Sequence, residues 1–276
     1  MEKAILNYLH QHLQLSHIQL KKLDKGLTNQ NYLLDCDQGR FMLRWPNHDA
    51  NKIVDRSHET LALKAINDLE LDVPLFYFDE KTGVKLSTYI EDFKTFSETK
   101  DRKRVEKVAL LMRKLHDAKR TIGQSFDPVK RYLAYRSHVV EPLISDDEAQ
   151  VILDQYQNSS RPYILCHNDW VEGNIGYTDH KSYLIDYEYA GDNDPYFDVM
   201  SFITENSLTQ DEKEEFLRIY FNHSPNQNIR HELEQMAKMH NLLWCTWAKM
   251  MAESRHSTVY LEIAYDKLQA LKKAAL

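Results

Sequence analysis

Two polar clusters in the middle of the chain constrain its fold more than any other feature. The first is CHNDWVEGNIGY, residues 166–177, and the second is YLIDYEYAGDNDPYFD, residues 183–198. The stretch between Asn174 and Asp186 has room for one hairpin, with turn-forming residues at 178–181. We therefore expect two antiparallel strands to bring Asn174 and Asp186 side by side.

This pairing suggests a specific chemistry. An amide and a carboxylate are oxygen ligands of the kind that Mg²⁺ takes beside phosphate groups. Asp169, on the loop just ahead, remains free to accept a proton from a substrate hydroxyl. The order H-x-D-x-x-x-x-N followed by a strand-borne aspartate corresponds to the catalytic loop and metal-binding aspartate of kinases. An isolated HxD is common by chance, so the prediction depends on both clusters in this order and spacing.

The hydrophobic pattern around the clusters predicts an α+β chain with two lobes. Before Asp92 it predicts helices at 2–15 and 53–69 and strands at IQLKKL, NYLLDC, RFMLRW, PLFYF and VKLSTYI. After it, helices are expected at 99–118, 145–157, 210–221, 229–251 and 258–275, with a strand-like island at PYILC, NIGY and SYLID. We expect an N-terminal nucleotide-binding lobe at 1–91 and a C-terminal catalytic lobe at 92–276.

Composition excludes several classes of protein. The formal charge of −7 argues against a nucleic-acid partner, which would require clustered Lys and Arg. No apolar run approaches the ~20 residues of a membrane span, and the first residues lack the apolar core of a signal peptide. The three cysteines are widely spaced, without a CxxC pair, so neither a disulfide framework nor a zinc site is indicated. A cytoplasmic protein without membrane or nucleic-acid partners is expected.

The first lobe carries candidate phosphate-binding residues. Gly26, Thr28 and Asn29 lie between two predicted strands, where backbone N–H groups of a turn approach phosphate closely; a plain hairpin turn is the alternative. Arg44 ends the third strand, and Glu59 lies in the following helix, where it would hold Arg44 as a kinase glutamate holds its lysine. Solvated surface charge is the alternative for this pair.

These residues resemble the choline/ethanolamine kinase family, a branch of the aminoglycoside-phosphotransferase-like kinases with a bilobal protein-kinase-like fold. CHNDWVEGN is similar to its catalytic loop, IDYEYAGDNDPYFD to its metal-binding motif, GLTNQNYLL to its phosphate loop and RFMLRW to its third strand. The match covers nearly the whole chain. Its brevity and its phosphate loop resemble the bacterial choline kinase type.

The resemblance implies a role for each matching residue. Asp169 would be the catalytic base, and Asn174 and Asp186 would bind Mg²⁺, with Glu188 as a further ligand. Arg44 and Glu59 would lie at the phosphates of ATP, and His167 would orient the loop. The adenine would lie at the lobe boundary, near Tyr89, Ile90 and Glu91.

A second stretch, HNLLWCTWAKM, concerns the acceptor. Trp244 and Trp247 are three residues apart, so on a helix they share one face. Core packing is one explanation; the other is an aromatic cage, because a quaternary ammonium is held best by aromatic faces. The family resemblance implies the cage, which Tyr189, Glu205 and either Tyr260 or Tyr265 would complete.

The expected reaction is transfer of the γ-phosphoryl group of ATP to the hydroxyl of choline. Ethanolamine, thiamine and aminoglycosides are rival acceptors; the last carry several charges and would require a broad acidic wall. A nucleotide-binding regulatory protein without activity is the alternative of another class. Such a protein should lack at least one of Asp169, Asn174 and Asp186, and all are present here.

Overall fold

An antiparallel five-stranded sheet forms the first part of the fold. The computed structural model describes residues 2–23, 29–47, 55–157 and 161–276. The strands, in the order β1-β2-β3-β5-β4 across the sheet, are β1 (Gln19–Leu23), β2 (Asn29–Cys36), β3 (Gly39–Pro46), β4 (Leu75–Phe78) and β5 (Lys85–Thr88). The helices of this part are α1 (Glu2–Leu13) and α2 (Arg56–Ile66). All five strands coincide with predicted runs.

The two faces of the sheet have different surroundings because side chains alternate along a strand. Leu43 on β3 packs into a small core with Leu34, Leu86 and the α1 residues Ile5 and Leu9. Arg44, the next residue, points to the opposite face. There it lies between α2 and the second polar cluster, so β3 delivers one cation into the space between the sheet and the rest of the chain.

Helices dominate the remainder of the chain. They are α3 (Arg104–Asp117), α4 (Pro128–Arg136), α5 (Asp146–Gln157), α6 (Pro195–Glu205), α7 (Gln210–Phe221), α8 (Gln227–Arg255) and α9 (Thr258–Leu271). The 29-residue α8 packs against α4, α5, α6 and α9. One continuous hydrophobic core joins these helices. Among the described residues, no helix combines the length and apolar character that crossing a bilayer requires.

Short strands position the two polar clusters. β7 (Ile164–Cys166) pairs with β10 (Gly191–Asn193), and β8 (Ile175–Tyr177) lies between β6 (Lys94–Thr95) and β9 (Ser182–Leu184). The predicted hairpin is confirmed: β8 and β9 are antiparallel, and the Thr178 N–H donates to the Lys181 carbonyl at 2.9 Å. At its open end the Ile185 N–H donates to the Asn174 carbonyl at 2.9 Å. The hairpin thus returns the chain to Asn174 directly before Asp186.

Helix boundaries differ from the sequence prediction where polar side chains bind the backbone. The helix expected from residue 99 begins at Arg104, because Asp101 accepts the Lys103 N–H at 2.9 Å and thereby holds a turn. The helix expected at 229–251 runs farther in both directions. Asn226 caps its start, and the left-handed residue His256 ends it. Neither α4 nor α6 has a counterpart among the predicted helices.

Candidate active site

The catalytic loop follows β7 and contains the predicted base. Asp169 precedes a 3-10 turn at Glu172–Asn174, and the turn brings the Asn174 amide back to it. The Asn174 Nδ2 donates to the Asp169 carbonyl at 3.0 Å and to its carboxylate at 2.9 Å. Asp169 and Asn174 therefore form one rigid unit, in which the amide oxygen of Asn174 is the atom that suits a metal ion.

A buried carboxylate on α6 holds this loop from behind. Asp198 accepts the backbone N–H groups of His167 at 2.9 Å and Asn168 at 2.7 Å, and it pairs with His116 Nε2 at 3.0 Å. Burial alone would raise the pKa of Asp198, but the His116 hydrogen bond and charge keep it below its usual value. The loop geometry therefore depends on an ionised aspartate that never reaches the cleft.

His167 joins the two polar clusters. Its ring is fully buried, which lowers the pKa of the imidazole, and Nε2 lies 3.0 Å from the Ile185 carbonyl. The Asn168 side chain adds a second link, since its Nδ2 donates to the Tyr189 carbonyl at 2.9 Å. The first cluster is therefore bonded to the chain on both sides of Asp186.

Arg44 is the centre of a charge network across the cleft. Its Nη1 lies 2.7 Å from Glu59 Oε1 and 2.9 Å from Asp186 Oδ1, and its Nη2 donates to the Gly83 carbonyl at 3.1 Å. Burial would lower the pKa of Arg44, but the surrounding carboxylates, Glu59 foremost, raise it. Arg44 is a permanent cation that links the sheet, α2 and the second polar cluster.

A second arginine completes the network. Arg56 Nη1 lies 3.1 Å from Glu59 Oε2 and 2.9 Å from Glu188 Oε1. Gly83 makes room for it: with φ of +76°, it adopts a conformation that favours glycine, and a Cβ there would lie 2.4 Å from Arg56 Nε. The sequence analysis did not identify Arg56 or Gly83 as site residues.

Three carboxylate or amide side chains were predicted to bind metal, and they differ in availability. Asp186 is 33% exposed, so its carboxylate can reach a ligand in the cleft. Glu188 is buried, and its Oε1 already receives the Asn29 amide at 2.6 Å, Arg56 at 2.9 Å and Arg44 at 3.2 Å. The oxygen donors of Asn174 and Asp186 fit a hard divalent cation, whereas Glu188 serves the arginines.

The carboxyl of Asp169 has an unusual proton affinity. Burial, together with the negative charges of Glu205 and Asp186, raises its pKa to about 8. A raised pKa at a cleft carboxylate is typical of general bases, since it brings proton affinity close to the working pH. Cations placed in the cleft would lower this pKa again.

Four aromatic rings form a continuous series beside the catalytic loop. Ring centroids are 5.1 Å apart for Tyr189 and Trp244, 5.6 Å for Trp244 and Trp247, and 5.6 Å for Trp247 and Tyr260. Each pair meets nearly perpendicularly, at 79–85°. Perpendicular rings make corners, in which a rounded cation can touch two ring faces. Of the two tyrosines that the sequence left open, Tyr260 belongs to this series, whereas Tyr265 is 48% exposed.

Glu205 ends α6 at the same site. Its Oε1 lies 2.5 Å from Lys267 Nζ and 3.7 Å from His240 Nε2. His240 in turn lies 6.2 Å from the Trp244 ring. Glu205 is also the charge that most raises the pKa of Asp169, so this carboxylate belongs to the surroundings of the base. Lys267 was not among the predicted site residues.

The remaining candidates lie at the edge of the sheet. Tyr89 follows β5, and its N–H donates to the Arg40 carbonyl at 3.1 Å; Ile90 is half-buried and Glu91 is exposed. Residues 89–93 connect the five-stranded sheet to β6. Gly26 and Thr28 lie outside the described residues, whereas Asn29 contacts Glu188 as given above.

The residues that the sequence analysis missed share one property: their partners are far along the chain. Arg56 meets Glu188, and Lys267 meets Glu205. Asp198 is the last residue of the second polar cluster. Its position beyond the hairpin was the one sequence signal that could have identified it. No local pattern marks Arg56 or Lys267.

Known proteins share this architecture. Protein LicA of Haemophilus influenzae is 29% identical over 98% of this chain and 83% of its own length. The crystal structure of choline kinase LicA from Streptococcus pneumoniae superposes with a TM-score of 0.81 at 23% identity, covering 99% of both chains. A choline/ethanolamine kinase family protein from Mesorhizobium loti also gives 0.81, at 22% identity, over 99% of this chain and 94% of that one.

Both superpositions show the fold, which is the kinase-like α+β fold that the sequence predicts. A sequence profile of the phosphotransferase enzyme family matches residues 19–234, a span that includes the sheet, both polar clusters and the start of α8. The chain belongs to the phosphotransferase enzyme family.

Proposed function

We propose that the protein phosphorylates the hydroxyl group of choline with ATP as the phosphoryl donor. The observation that carries the proposal is the aromatic series Tyr189, Trp244, Trp247 and Tyr260, which ends beside the loop that bears Asp169. A cleft that has a kinase-type base on one side and perpendicular rings on the other suits an alcohol with a quaternary ammonium group. The names of the LicA relatives are consistent with this acceptor.

In the proposed mechanism Asp169 accepts the proton of the acceptor hydroxyl as the new P–O bond forms and the bond from the γ-phosphorus to the departing ADP breaks. Asn174 fixes the orientation of that carboxylate through its hydrogen bond. Asn174 and Asp186 would hold Mg²⁺, which supplies charge neutralisation at the phosphates when bound. Arg44, held by Glu59, would donate N–H groups to the α- and β-phosphates.

The nucleotide would enter between the sheet and the helical part. We place the lobe boundary after Glu91, because residues 89–93 form the connection from β5 to β6. The adenine would lie along Tyr89 and Ile90, and Asn29 would close the phosphate end of the site. Gly26 and Thr28, which lie outside the described residues, retain their proposed role at the phosphates.

The acceptor side discriminates among the rival substrates by charge and shape. Apart from the base Asp169, the carboxylate described at the aromatic series is Glu205, and Lys267 already balances it. A polycationic aminoglycoside would therefore meet little negative charge here. Ethanolamine and thiamine are single cations, and they differ from choline in how the nitrogen is presented: three N–H donors in the first, an aromatic ring in the second.

A coupled ADP-release assay over choline, ethanolamine, thiamine and kanamycin tests the proposal. We expect Mg²⁺-dependent turnover with choline at the highest kcat/KM, and no turnover above background with kanamycin. An Asp169→Asn variant supplies the blank. Preference for any other acceptor would refute the choline assignment. If none of the four acceptors stimulates ADP release, the nucleotide-binding regulatory alternative is favoured.

A further inference from the structure

The ion pair between Lys267 and Glu205 lies inside the proposed acceptor site. Both side chains are largely buried, 9% and 16% exposed respectively, and Nζ lies 2.5 Å from Oε1. Lys267 is two helical turns beyond Tyr260 on α9, so the two residues share the helix face that meets α8. The pair is therefore continuous with the aromatic series.

Lys267 is the cation that balances Glu205. The other basic group in contact with this carboxylate is His240, whose pKa is far below its ordinary value because of burial and the Lys267 charge. His240 is thus neutral, and its Nδ1 lies 3.1 Å from the Thr204 hydroxyl. The Glu205 carboxylate consequently enters the acceptor site with its charge already matched.

A matched carboxylate affects primary and quaternary ammonium groups differently. A primary ammonium has three N–H donors, and each one that is buried requires an acceptor. A quaternary ammonium has none, and ring faces stabilise it directly. With Glu205 Oε1 paired with Lys267, this carboxylate has fewer acceptor positions and no unbalanced charge for a primary ammonium, whereas the ring faces are unaffected.

We infer that Lys267 is a selectivity residue: by pairing with Glu205 Oε1 and balancing its charge, it weakens the acceptor that a primary ammonium needs and thereby favours a quaternary ammonium. This inference rests on the proposed function, since it assumes that the aromatic series receives the cation. It assigns selectivity to a side chain that need not touch the acceptor.

The test compares binding of choline and ethanolamine in the absence of ATP, measured by calorimetry or tryptophan fluorescence. Lys267→Met removes the charge at similar length and frees Glu205, so ethanolamine should bind at least tenfold more tightly relative to choline than in the parent. Lys267→Arg should restore the parent's ratio. Lys249→Met is the matched control, because Lys249 forms a comparable half-buried pair with Glu253 elsewhere on α8 and should leave the ratio unchanged.

A double-mutant cycle at Glu205 and Lys267 provides a second measurement, which can be made even if Lys267→Met folds poorly. Glu205→Gln alone leaves Lys267 unbalanced and should weaken choline about tenfold. The double variant Glu205→Gln/Lys267→Met removes both charges and should recover choline binding to within about threefold of the parent. Choline binding in the double variant as weak as in Glu205→Gln would overturn the inference, because a direct carboxylate contact would then hold the cation.

The outcome separates this inference from the function itself. If the parent neither binds nor phosphorylates choline or ethanolamine, the proposed function fails and the inference with it. If the parent phosphorylates choline but Lys267→Met folds and keeps the parent's binding ratio, the function stands and only the role of Lys267 is refuted.

Discussion

The two sides of the cleft are built on opposite principles. On the nucleotide side, Arg44 and Arg56 interlock with Glu59, Asp186 and Glu188, and every distance is that of a direct ion pair. On the acceptor side, perpendicular rings make up most of the wall, and the charges reduce to Glu205 and Lys267. Under the proposed function, the first side fixes the phosphate groups by charge, whereas the second fits the shape of the acceptor.

The largest effect should come from the base that lies between the two sides. Asp169→Asn keeps the shape of the side chain and removes its ability to take a proton, so kcat should fall roughly 10²–10⁴-fold. Nucleotide binding should change little. Asp179→Asn, in the exposed hairpin turn, is the control for loss of an aspartate from this region. Activity within a few-fold of the parent would show that another group accepts the proton.

The nucleotide side should be sensitive to loss of a single cation. Arg44→Met removes a cation that pairs with the buried carboxylates of Glu59 and Glu188, and we expect the free energy of unfolding to fall by about 3–5 kcal/mol. Arg40→Met is the control on the same strand, since Arg40 pairs with Asp35 at 53% exposure, and its urea midpoint should stay close to that of the parent. Equal midpoints for the two variants would mean that the network contributes little to stability.

The acceptor side should respond in KM. Trp247→Leu and Trp244→Leu keep apolar bulk and remove a cation-binding face, so KM for choline should rise several-fold to about thirtyfold while KM for ATP stays constant. Trp45→Leu serves as the control, because Trp45 lies on β3 and packs on Tyr8 of α1. If the variants lose thermal stability and keep the parent's choline KM, these tryptophans are core residues only.

A further effect concerns pH and stability without nucleotide or Mg²⁺. The folded-state pKa of Asp169, about 8, lies above its unfolded value near 3.9, so the folded state holds a proton that the unfolded state releases. The parent should therefore lose stability as pH rises between about 4 and 8, with no further loss above. Asp169→Asn lacks this loss, and its melting temperature at pH 9 should exceed the parent's by up to about 10 °C. Parallel melting curves across this pH range would contradict the raised pKa.

The same contrast explains what the sequence could predict. The hairpin between Asn174 and Asp186 follows from local turn residues and alternating apolar residues, and both polar clusters carry their chemistry in consecutive positions. The five strands of the sheet were visible for the same reason. Each of these features depends on residues that are close together in the sequence, so the sequence pattern alone predicts it.

Other parts of the site depend on residues that meet only after folding. From the sequence, Arg56 would be taken for an ordinary surface charge of α2. In the folded structure it lies against Gly83 and pairs with Glu188. From the sequence, Lys267 would be taken for a solvent-facing lysine of α9, although its side chain is only 9% exposed. The choice between Tyr260 and Tyr265 required the packing of α9 on α8, which helical periodicity alone does not specify.

The length of α8 limits how the acceptor range of such an enzyme can change. Trp244 and Trp247 lie in a run of buried residues, 239–248, that also packs against α4, α5 and α6. Substitutions in this run would disturb the packing of the helical part as well as the lining of the proposed acceptor site. In α9 the buried residues are Tyr260, Ala264 and Lys267, so this helix can vary at lower risk to folding. A laboratory selection for new acceptor alcohols should therefore accumulate its changes in α9 and leave α8 intact.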